Sequence, residues 1–438
     1  MKHKFFSMLD YFLIILVFTL VCFGVLFIYS SSINSDGISV TREHYKQLIF
    51  AGVGIVLMLI TAVYDYRKTN SSFSTYLYGL MILVLIYTLI FGKNVNNSKS
   101  WVGIGIFGIQ PSEFTKIVFI VFLAKYLYSS QNENQLLRFF IAILIMAVPM
   151  GLVLLQPDLG TATVFIPILL FMCFFAGIPL RYIMYLLCFG VLTILFAVMP
   201  VINNVIYNGA LKYVSILSVG KLRAVLFVTC LLITLIAFIV KRYFHVRKTS
   251  YWIEYVFSII TLATVCSLVV SKVLKPYQIQ RLIVFINPEV DPLDTGWNII
   301  QSKIAIGAGG LFGRGYLNGT QSHYRFLPQQ STDFIFSILS EEWGFLGGCL
   351  VFILYLLLII RILIIMKQTT SDFGVYICSG LLAMFGYHFF VNVGMVMGIT
   401  PCTGIPLFFV SYGGSSLLTG MISIGLLMSI NYRKKELS

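Results

Sequence analysis

Residues 11–29 read YFLIILVFTLVCFGVLFIY, a run that contains no charged side chain. An α-helix rises about 1.5 Å per residue, so roughly 20 such residues span the hydrocarbon core of a bilayer. Comparable runs recur along the 438 residues, of which 59% are hydrophobic and 11% are charged. An ordinary soluble domain has about 25% charged residues. The sequence therefore predicts an all-α, polytopic helical membrane protein.

The apolar runs predict about twelve transmembrane helices in a single integral membrane domain, residues 1–438. Their approximate limits are 11–29, 48–63, 76–91, 114–128, 139–155, 162–176, 182–199, 224–239, 256–273, 346–366, 375–396 and 416–430. With twelve spans, the short basic loops fall on one side of the membrane, as the positive-inside rule requires. Both termini are then predicted to be cytoplasmic. These loops account for the net charge of +14, which therefore does not indicate a nucleic-acid partner.

Four segments are assigned to the opposite, extracytoplasmic face: 93–113, 156–161, 274–340 and 400–416. The segment 274–340 is far longer than an ordinary connection, and loops of that length are usually functional or disordered. Its content of Trp, Tyr, Phe and Ile argues against disorder. The sequence therefore predicts a large structured extracytoplasmic loop.

The run LPQQSTDFIF (327–336) places Asp333 at the edge of the membrane, where a carboxylate is costly unless it is paired or used. One interpretation is that Asp333 or its neighbours cap the helix that follows, and composition alone favours it. Against it, Glu341 and Glu342 follow with no lysine or arginine between them. Negative charge without local compensation indicates a cationic partner, a metal ion or proton transfer.

The run QPSEFTK (110–116) predicts the start of a helix with Ser112 as its N-cap. Glu113 and Lys116 are three residues apart and so share one helical face, which predicts a local ion pair. Lys116 also lies inside an apolar run, where an ammonium group usually faces a polar cavity. The two interpretations are compatible. In QPDLGT (156–161), Asp158 is predicted to belong to a turn.

Two arginines in the segment 274–340 suit a phosphate ligand. For Arg281, phosphate binding and ordinary snorkelling from a helix end stay equally open. Arg314 lies in GAGGLFGRG (307–315), which loosely resembles a phosphate-cradling glycine loop. A flexible turn is the favoured interpretation, because the strand and helix of that fingerprint are missing. The alternative is a phosphate bound by backbone amides and Arg314.

Five segments together resemble one family. They are WVGIGIFGIQPSEFTK (101–116), QPDLGTA (156–162), NPEVDPLDTGWNIIQSKIAIGAGGLFGRG (287–315), LPQQSTDFIFSILSEEWGFLGG (327–348) and GIPLFFVSYGGSS (404–416). In this order they resemble the SEDS family (shape, elongation, division and sporulation) of bacterial peptidoglycan glycosyltransferases, which includes the RodA and FtsW proteins. The segments 299–322 and 392–407 are more similar to the RodA, cell-elongation branch.

The resemblance implies polymerisation of lipid II, the undecaprenyl-pyrophosphate disaccharide pentapeptide, at the outer face of the cytoplasmic membrane. It implies a class B penicillin-binding protein (a transpeptidase) as partner. The aspartate of the family's TDF motif is Asp333 here, with the expected role of general base toward the acceptor hydroxyl. The substrate-binding residues expected around it are Trp101, Glu113, Lys116, Arg281, Arg314 and Glu342. The departing pyrophosphate needs positive charge, from these cations or from a divalent cation (Mg or Mn) held by carboxylates.

The chain also departs from the family. The usual motif reads LPExHTDF, and this chain has Gln329 and Ser331 in place of the glutamate and the histidine. Phe408 stands where the family often has proline. Relative to the common core of ten spans, residues 200–275 are predicted to be an insertion with two extra spans, and an even number of added spans preserves the sidedness of everything that follows.

Two other functions stay open from the sequence. A flippase or transporter of lipid-linked precursors would also need many spans, but it would place its charges near the bilayer midplane. Here the charges gather on one face, which favours surface chemistry. A non-catalytic scaffold for a penicillin-binding protein is the other alternative, and the altered Gln329 and Ser331 favour it.

Overall fold

The computed structural model describes residues 9–35, 37–95, 98–104, 107–211, 214–243, 247–292 and 295–433. Its α-helices are α1 Tyr11–Ser32, α2 Glu43–Val63, α3 Ser72–Phe91, α4 Pro111–Ser129, α5 Gln135–Leu155, α6 Leu159–Phe175, α7 Leu180–Val205, α8 Ser215–Ser218, α9 Gly220–Tyr243, α10 Arg247–Val273, α11 Pro276–Ile286, α12 Thr295–Gly309, α13 Thr320–His323, α14 Ile335–Gln368, α15 Asp372–Met397 and α16 Gly414–Arg433. Short 3₁₀ turns cover Tyr66–Asn70 and Pro288–Val290.

Every apolar run predicted to span the membrane coincides with one of these helices. Within the described ranges, ten helices are long and apolar enough to cross a membrane. The two predicted spans outside that set are α6, which has only 17 residues, and α4, which carries Glu113, Lys116 and Lys125. The prediction of an all-α, polytopic membrane protein is confirmed, with ten spans by length and composition where about twelve were expected.

A small antiparallel sheet lies between α3 and α4, and the sequence analysis did not predict it. Its strands are β1 Lys93–Val95, β2 Ser98–Ile104 and β3 Phe107–Ile109, in the order β1-β2-β3. Val102 pairs with Ile109, which places β3 directly before the first turn of α4. The sheet therefore leads the chain to the polar start of that helix.

The chain divides into two compact units, Met1–Ile178 with Trp297–Ser438, and Pro179–Gly296. In the second unit, Ala197, Val198 and Ile202 of α7 pack against Ile283 of α11. Asn203 binds the backbone of Leu211 through both ends of its amide. The predicted insertion, 200–275, contains α9 and α10, which are both long and apolar enough to span a membrane.

In the first unit, α15 and α16 form the core. In the most apolar stretch of each helix, 89% of the residues of α16 and 72% of those of α15 are buried, compared with 17% of those of α3. Small residues allow this, because a side chain on Gly425 of α16 would collide with the carbonyl oxygen of Met58 on α2. Close approach through small residues is the usual way that helices associate inside a membrane.

The predicted loop 274–340 is largely helical, since it contains α11, α12, α13 and the first residues of α14. The tenth predicted span was expected to begin near residue 346, but α14 begins at Ile335 and continues to Gln368 with a break at Gly344. Gly344 has φ +65° and ψ −158°, a conformation that side chains other than glycine rarely adopt. Residues 335–343, which contain Glu341 and Glu342, therefore form a short helix that is separated from the rest of α14 by a kink.

Candidate active site

Asp333 lies at the end of a tight turn, one residue before the N-cap of α14. The N-cap is Phe334, whose side chain makes no capping bond to the described residues. The prediction that Asp333 caps this helix is therefore wrong, because the helix begins one residue too late. The backbone N–H of Asp333 instead donates to the carbonyl of Gln329 at 3.1 Å. Gln329 has φ +52°, which is the positive-φ residue of this turn.

The connection between α15 and α16, residues 398–413, forms one wall of the turn. Gly404 has φ +72°, and a side-chain carbon on it would lie 3.4 Å from Oδ2 of Asp333. Asn392 of α15 donates from Nδ2 to the carbonyl oxygen of Asp333 at 3.1 Å and to that of Ile405 at 2.8 Å. The backbone N–H of Tyr412 donates to the carbonyl of Ser331 at 2.8 Å. The turn and the connection are thus held together along their length.

A buried charge pair lies at the start of α4. Lys116 is 0% exposed, and its Nζ donates to Oε1 of Glu113 at 2.8 Å, as the three-residue spacing predicts. The N-cap of α4 is Gln110, so the prediction of Ser112 as cap is wrong. The helix begins at Pro111, two residues earlier than predicted, because proline favours the first helical position.

The structure adds His388 to this pair, and the sequence analysis missed it. His388 of α15 lies 3.1 Å from Nζ of Lys116 through Nε2, and 2.9 Å from the carbonyl oxygen of Pro406 through Nδ1. A carbonyl can only accept, so Nδ1 carries the hydrogen and Nε2 accepts from the ammonium group. A histidine inside an otherwise apolar helix was the signal that could have identified it. The ring of Phe408 lies 4.2 Å from that of His388, centroid to centroid.

The motif QPDLGT joins the same assembly. Asp158 is the N-cap of α6: its Oδ1 accepts from the N–H of Thr161 at 3.0 Å. Its Oδ2 accepts from Nε2 of Gln110 at 2.7 Å, directly before α4. A side-chain carbon on Gly160 would lie 2.5 Å from the carbonyl oxygen of Thr403. The predicted turn is therefore a cap that ties the start of α4 to the connection beside Asp333.

The glycine run 307–315 packs against the break in α14. A side chain on Gly309 or Gly313 would collide with the carbonyl oxygens of Ser340 and Glu342 respectively. The N–H groups of Gly313, Arg314 and Gly315 donate to the carbonyls of Gly309, Glu341 and Glu342. These three amides are therefore already bonded within the protein, and the alternative of a phosphate bound by backbone amides and Arg314 stays a prediction. The glycines allow close backbone packing.

The other two carboxylates near Asp333 are fully buried and bonded within the protein. Oε1 of Glu341 accepts from the N–H of Thr320 at 2.8 Å and from that of Gln321 at 3.0 Å, at the start of α13. Glu342 accepts from the hydroxyl of Ser30 on α1. These contacts attach the loop 310–323 and α1 to α14. Backbone and hydroxyl donors therefore compensate Glu341, whereas Oε2 of Glu342 is buried with no hydrogen-bond partner within the described residues.

Arg314 and Arg281, unlike the fully buried Lys116, are at least partly exposed. Arg314 is exposed, and its Nη1 donates to the hydroxyl of Thr320 at 2.8 Å. Arg281 belongs to the second unit, where its guanidinium lies 5.7 Å from the ring centroid of Tyr277. Trp101 lies on β2, partly buried, with its ring against Gly108.

The loop next to Glu342 also carries Tyr316. Burial, and secondarily the Glu342 carboxylate, raise the pKa of Tyr316 to about 12. Its hydroxyl donates to the carbonyl of Leu26 on α1 at 3.0 Å. The phenol therefore stays protonated at neutral pH and acts as a hydrogen-bond donor.

Within the described part of the chain, no three His, Cys, Asp or Glu side chains are grouped in a way that could hold a metal ion. The divalent cation that could stabilise the leaving pyrophosphate therefore stays a prediction. Two buried side chains of α15 bond to the connection at residues 405–406: Asn392, which also bonds to Asp333, and His388, which is connected to Lys116 and Glu113.

Comparisons with known proteins agree with this arrangement. The family model FTSW_RODA_SPOVE, described as cell cycle protein, matches residues 11–208 and 227–436. The chain is 52% identical over 427 residues to the peptidoglycan glycosyltransferase RodA of Treponema pallidum, which covers 97% of this chain and 98% of the relative. It is 32% identical over 430 residues to the peptidoglycan glycosyltransferase MrdB of Escherichia coli, which covers 98% and 95%.

Two solved structures share the fold. A chain of a peptidoglycan synthase complex, described for its coordination of polymerization and crosslinking, aligns with a TM-score of 0.67 at 24% identity over 97% of this chain and 98% of that chain. The rod shape determining protein RodA of Thermus thermophilus aligns with a TM-score of 0.59 at 21% identity over 97% of both chains. The family model covers nearly the whole sequence, including every segment that contacts Asp333. This chain therefore belongs to the FtsW/RodA/SpoVE family of cell cycle proteins.

Proposed function

We propose that this chain is a peptidoglycan glycosyltransferase that polymerises lipid II into glycan strands for cell elongation, with Asp333 as its general base. Relatives that carry the name peptidoglycan glycosyltransferase match it over 97% and 98% of its length. The observation that carries the site assignment is the placement of Asp333, whose carboxylate lies beside Gly404.

In the proposed reaction, the 4-hydroxyl of one lipid II attacks the anomeric carbon of another. A new glycosidic C–O bond forms, the bond from that carbon to the pyrophosphate breaks, and Asp333 takes the proton of the hydroxyl. A positioned base contributes about 10²- to 10⁴-fold to such a step. The position of Asp333 in a turn before α14, and not within the long apolar helix, supports a role toward a hydroxyl that arrives from the membrane surface.

The leaving pyrophosphate acquires negative charge, which a cation stabilises. Lys116 is fully buried and bonded to Glu113 and His388, so we assign it a role in holding the site and not in contact with phosphate. Arg314 is exposed and carries the proposed contact, and Arg281 and Trp101 stay proposed substrate-binding residues. Glu342 is fully buried and bonded to Ser30, which favours a structural role.

The proposed setting is the bacterial cytoplasmic membrane, with both termini cytoplasmic and Asp333 on the outer face. The position of the basic loops supports that orientation. We propose a class B penicillin-binding protein as partner, since a structural neighbour belongs to a complex that polymerises and crosslinks peptidoglycan. Residues 200–275 are proposed to be an insertion into a ten-span family core.

The test is polymerisation of purified lipid II in detergent by the full chain, alone and with a class B penicillin-binding protein. Asp333→Asn keeps the shape of the side chain and is expected to lower the rate at least about 100-fold. Glu133→Gln removes an exposed carboxylate between α4 and α5 and is the matched control, expected to keep the wild-type rate.

An Asp333→Asn protein that polymerises at the wild-type rate would overturn the base assignment. A wild-type chain that makes no polymer in either condition would overturn the glycosyltransferase proposal. Polymer that depends on the partner and is unchanged by Asp333→Asn would favour the scaffold alternative.

A further inference from the structure

Asn392 of α15 has a side chain that the proposed reaction does not use. It is 0% exposed and lies on one of the two helices that form the core of the first unit. Its Nδ2 donates to the carbonyl oxygens of Asp333 and Ile405, at 3.1 and 2.8 Å. An amide nitrogen has two hydrogens, so both are committed. Since both partners are carbonyls and can only accept, the orientation of the amide is determined by its surroundings.

These two bonds join three separate parts of the chain at one atom. Asp333 ends the turn before α14, Ile405 belongs to the connection between α15 and α16, and Asn392 lies on α15. Gly404, the neighbour of Ile405, is also the residue beside the Asp333 carboxylate, with 3.4 Å between Oδ2 and a carbon built on it. Both the backbone and the carboxylate of Asp333 are therefore placed relative to residues 404–405.

The same face of α15 holds the next residue of the connection. His388, one helical turn before Asn392, bonds to the carbonyl oxygen of Pro406 through Nδ1 at 2.9 Å. Residues four apart on a helix lie on one face. The side chains of His388 and Asn392 therefore donate side by side to the consecutive carbonyl oxygens of Pro406 and Ile405. Through His388 the pair is in turn connected to the buried Lys116.

The amide of Asn392 is only partly satisfied. Its Oδ1 is buried and has no hydrogen-bond partner within the described residues. A buried acceptor left without a partner is unfavourable, and an apolar side chain of the same size would avoid that cost. The donating end is the part of this side chain that the surroundings use.

We propose that Asn392 is a positioning residue, which orients the Asp333 carboxylate by clamping the Asp333 carbonyl to the connection at residues 404–405. This inference rests on the proposed function of Asp333 as base. Without the clamp, the bond from the N–H of Tyr412 to Ser331 still joins the turn to the connection, but the two bonds of Asn392 at Asp333 and Ile405 are lost. A displacement of about 1 Å at a reacting group costs up to roughly 100-fold in rate.

The test compares Asn392→Leu with wild type in lipid II polymerisation by the purified full chain, with kcat and KM measured separately. Asn203→Leu is the matched control, since Asn203 is also a buried asparagine bonded to backbone, in the second unit. We expect kcat to fall about 10- to 100-fold in Asn392→Leu. KM is expected within about threefold of wild type, and the melting temperature close to that of the control, because positioning acts on the chemical step.

A kcat for Asn392→Leu no lower than that of Asn203→Leu would overturn the inference. Asn392→Ser guards against misfolding, because a hydroxyl keeps one donor and can hold one of the two carbonyls. Its kcat is expected between those of wild type and Asn392→Leu, and a wild-type kcat in the serine variant would also overturn the inference. If Asp333→Asn loses polymerisation while both Asn392 variants retain it, only the inference fails. If Asp333→Asn polymerises normally, the base assignment itself fails.

Discussion

Replacement of Lys116 by methionine should be far more damaging than removal of the whole ion pair. The ammonium group is 0% exposed and lies 2.8 Å from Oε1 of Glu113. Its loss strands a buried carboxylate whose Oε2 has no other partner among the described residues. Breaking a buried pair in this way costs about 3–5 kcal/mol. The unpaired nitrogen of His388 adds about 1–3 kcal/mol.

The expected loss for Lys116→Met is therefore about 4–8 kcal/mol in the free energy of unfolding. In the double variant Glu113→Gln with Lys116→Met no charge is left buried, so a loss of only about 1–3 kcal/mol is expected. Since folded proteins have a total stability of about 5–15 kcal/mol, the single variant should be partly unfolded where the double variant is folded.

The assay is unfolding in mixed detergent micelles with increasing SDS, followed by intrinsic fluorescence. Lys125→Met is the matched control on the same helix. Among the described residues, Lys125 bonds to neutral oxygens of Ser71 and Thr75, and its loss should cost less than about 1.5 kcal/mol. A Lys116→Met protein within about 1 kcal/mol of the double variant would refute the reasoning, because the carboxylate would then not depend on the ammonium group.

Two further predictions concern packing and pH. Gly309→Ala should loosen the loop 310–323 and increase its cleavage by protease, because the new carbon would meet the carbonyl of Ser340. Gly307→Ala is the control and should be neutral or stabilising, because its new carbon would have no described atom within 4 Å; equal cleavage of the two variants would contradict the prediction. Burial alone would raise the pKa of Asp65, but hydrogen bonds from Arg67 outweigh it and hold that pKa below the ordinary 3.8. The pKa of Asp65 is lower in the folded state than in the unfolded state. The stability advantage of wild type over Asp65→Asn, measured as the difference in melting temperature, should therefore be complete above pH 3.8 and disappear as the pH falls further. An advantage that grows on acidification would contradict this prediction.

Much of the secondary structure could be predicted from the sequence because each helix is encoded locally. An uninterrupted apolar run determines a membrane helix, and three-residue spacing places Glu113 and Lys116 on one face. The local signals failed where packing decides the backbone. The break at Gly344 follows from the neighbouring glycine run, and the position of the α14 N-terminus decided that Asp333 is not its cap.

The sequence predicted Asp333, Glu113 and Lys116 as residues of the candidate site. For Asp333, composition alone favoured a helix cap, and only the resemblance to a family predicted a general base. His388 and Asn392 were not identified. Their helix reads as an ordinary apolar span, and nothing within a few residues of either side chain reveals its partners. The contacts that define them join residues far apart in the chain, such as Lys116 with His388 and Asn392 with Asp333.

By itself, the sequence determined that this chain is a many-spanned helical membrane protein with polar motifs gathered in a few segments, because hydrophobic length and charge position act residue by residue. Only the tertiary structure decided which polar groups meet. In a bilayer a buried polar side chain must find its partner within the protein, and the packing of α15 against α4 and the connection at 404–406 selects that partner. The surroundings of Asp333 are therefore a property of the fold and not of the motif that contains it.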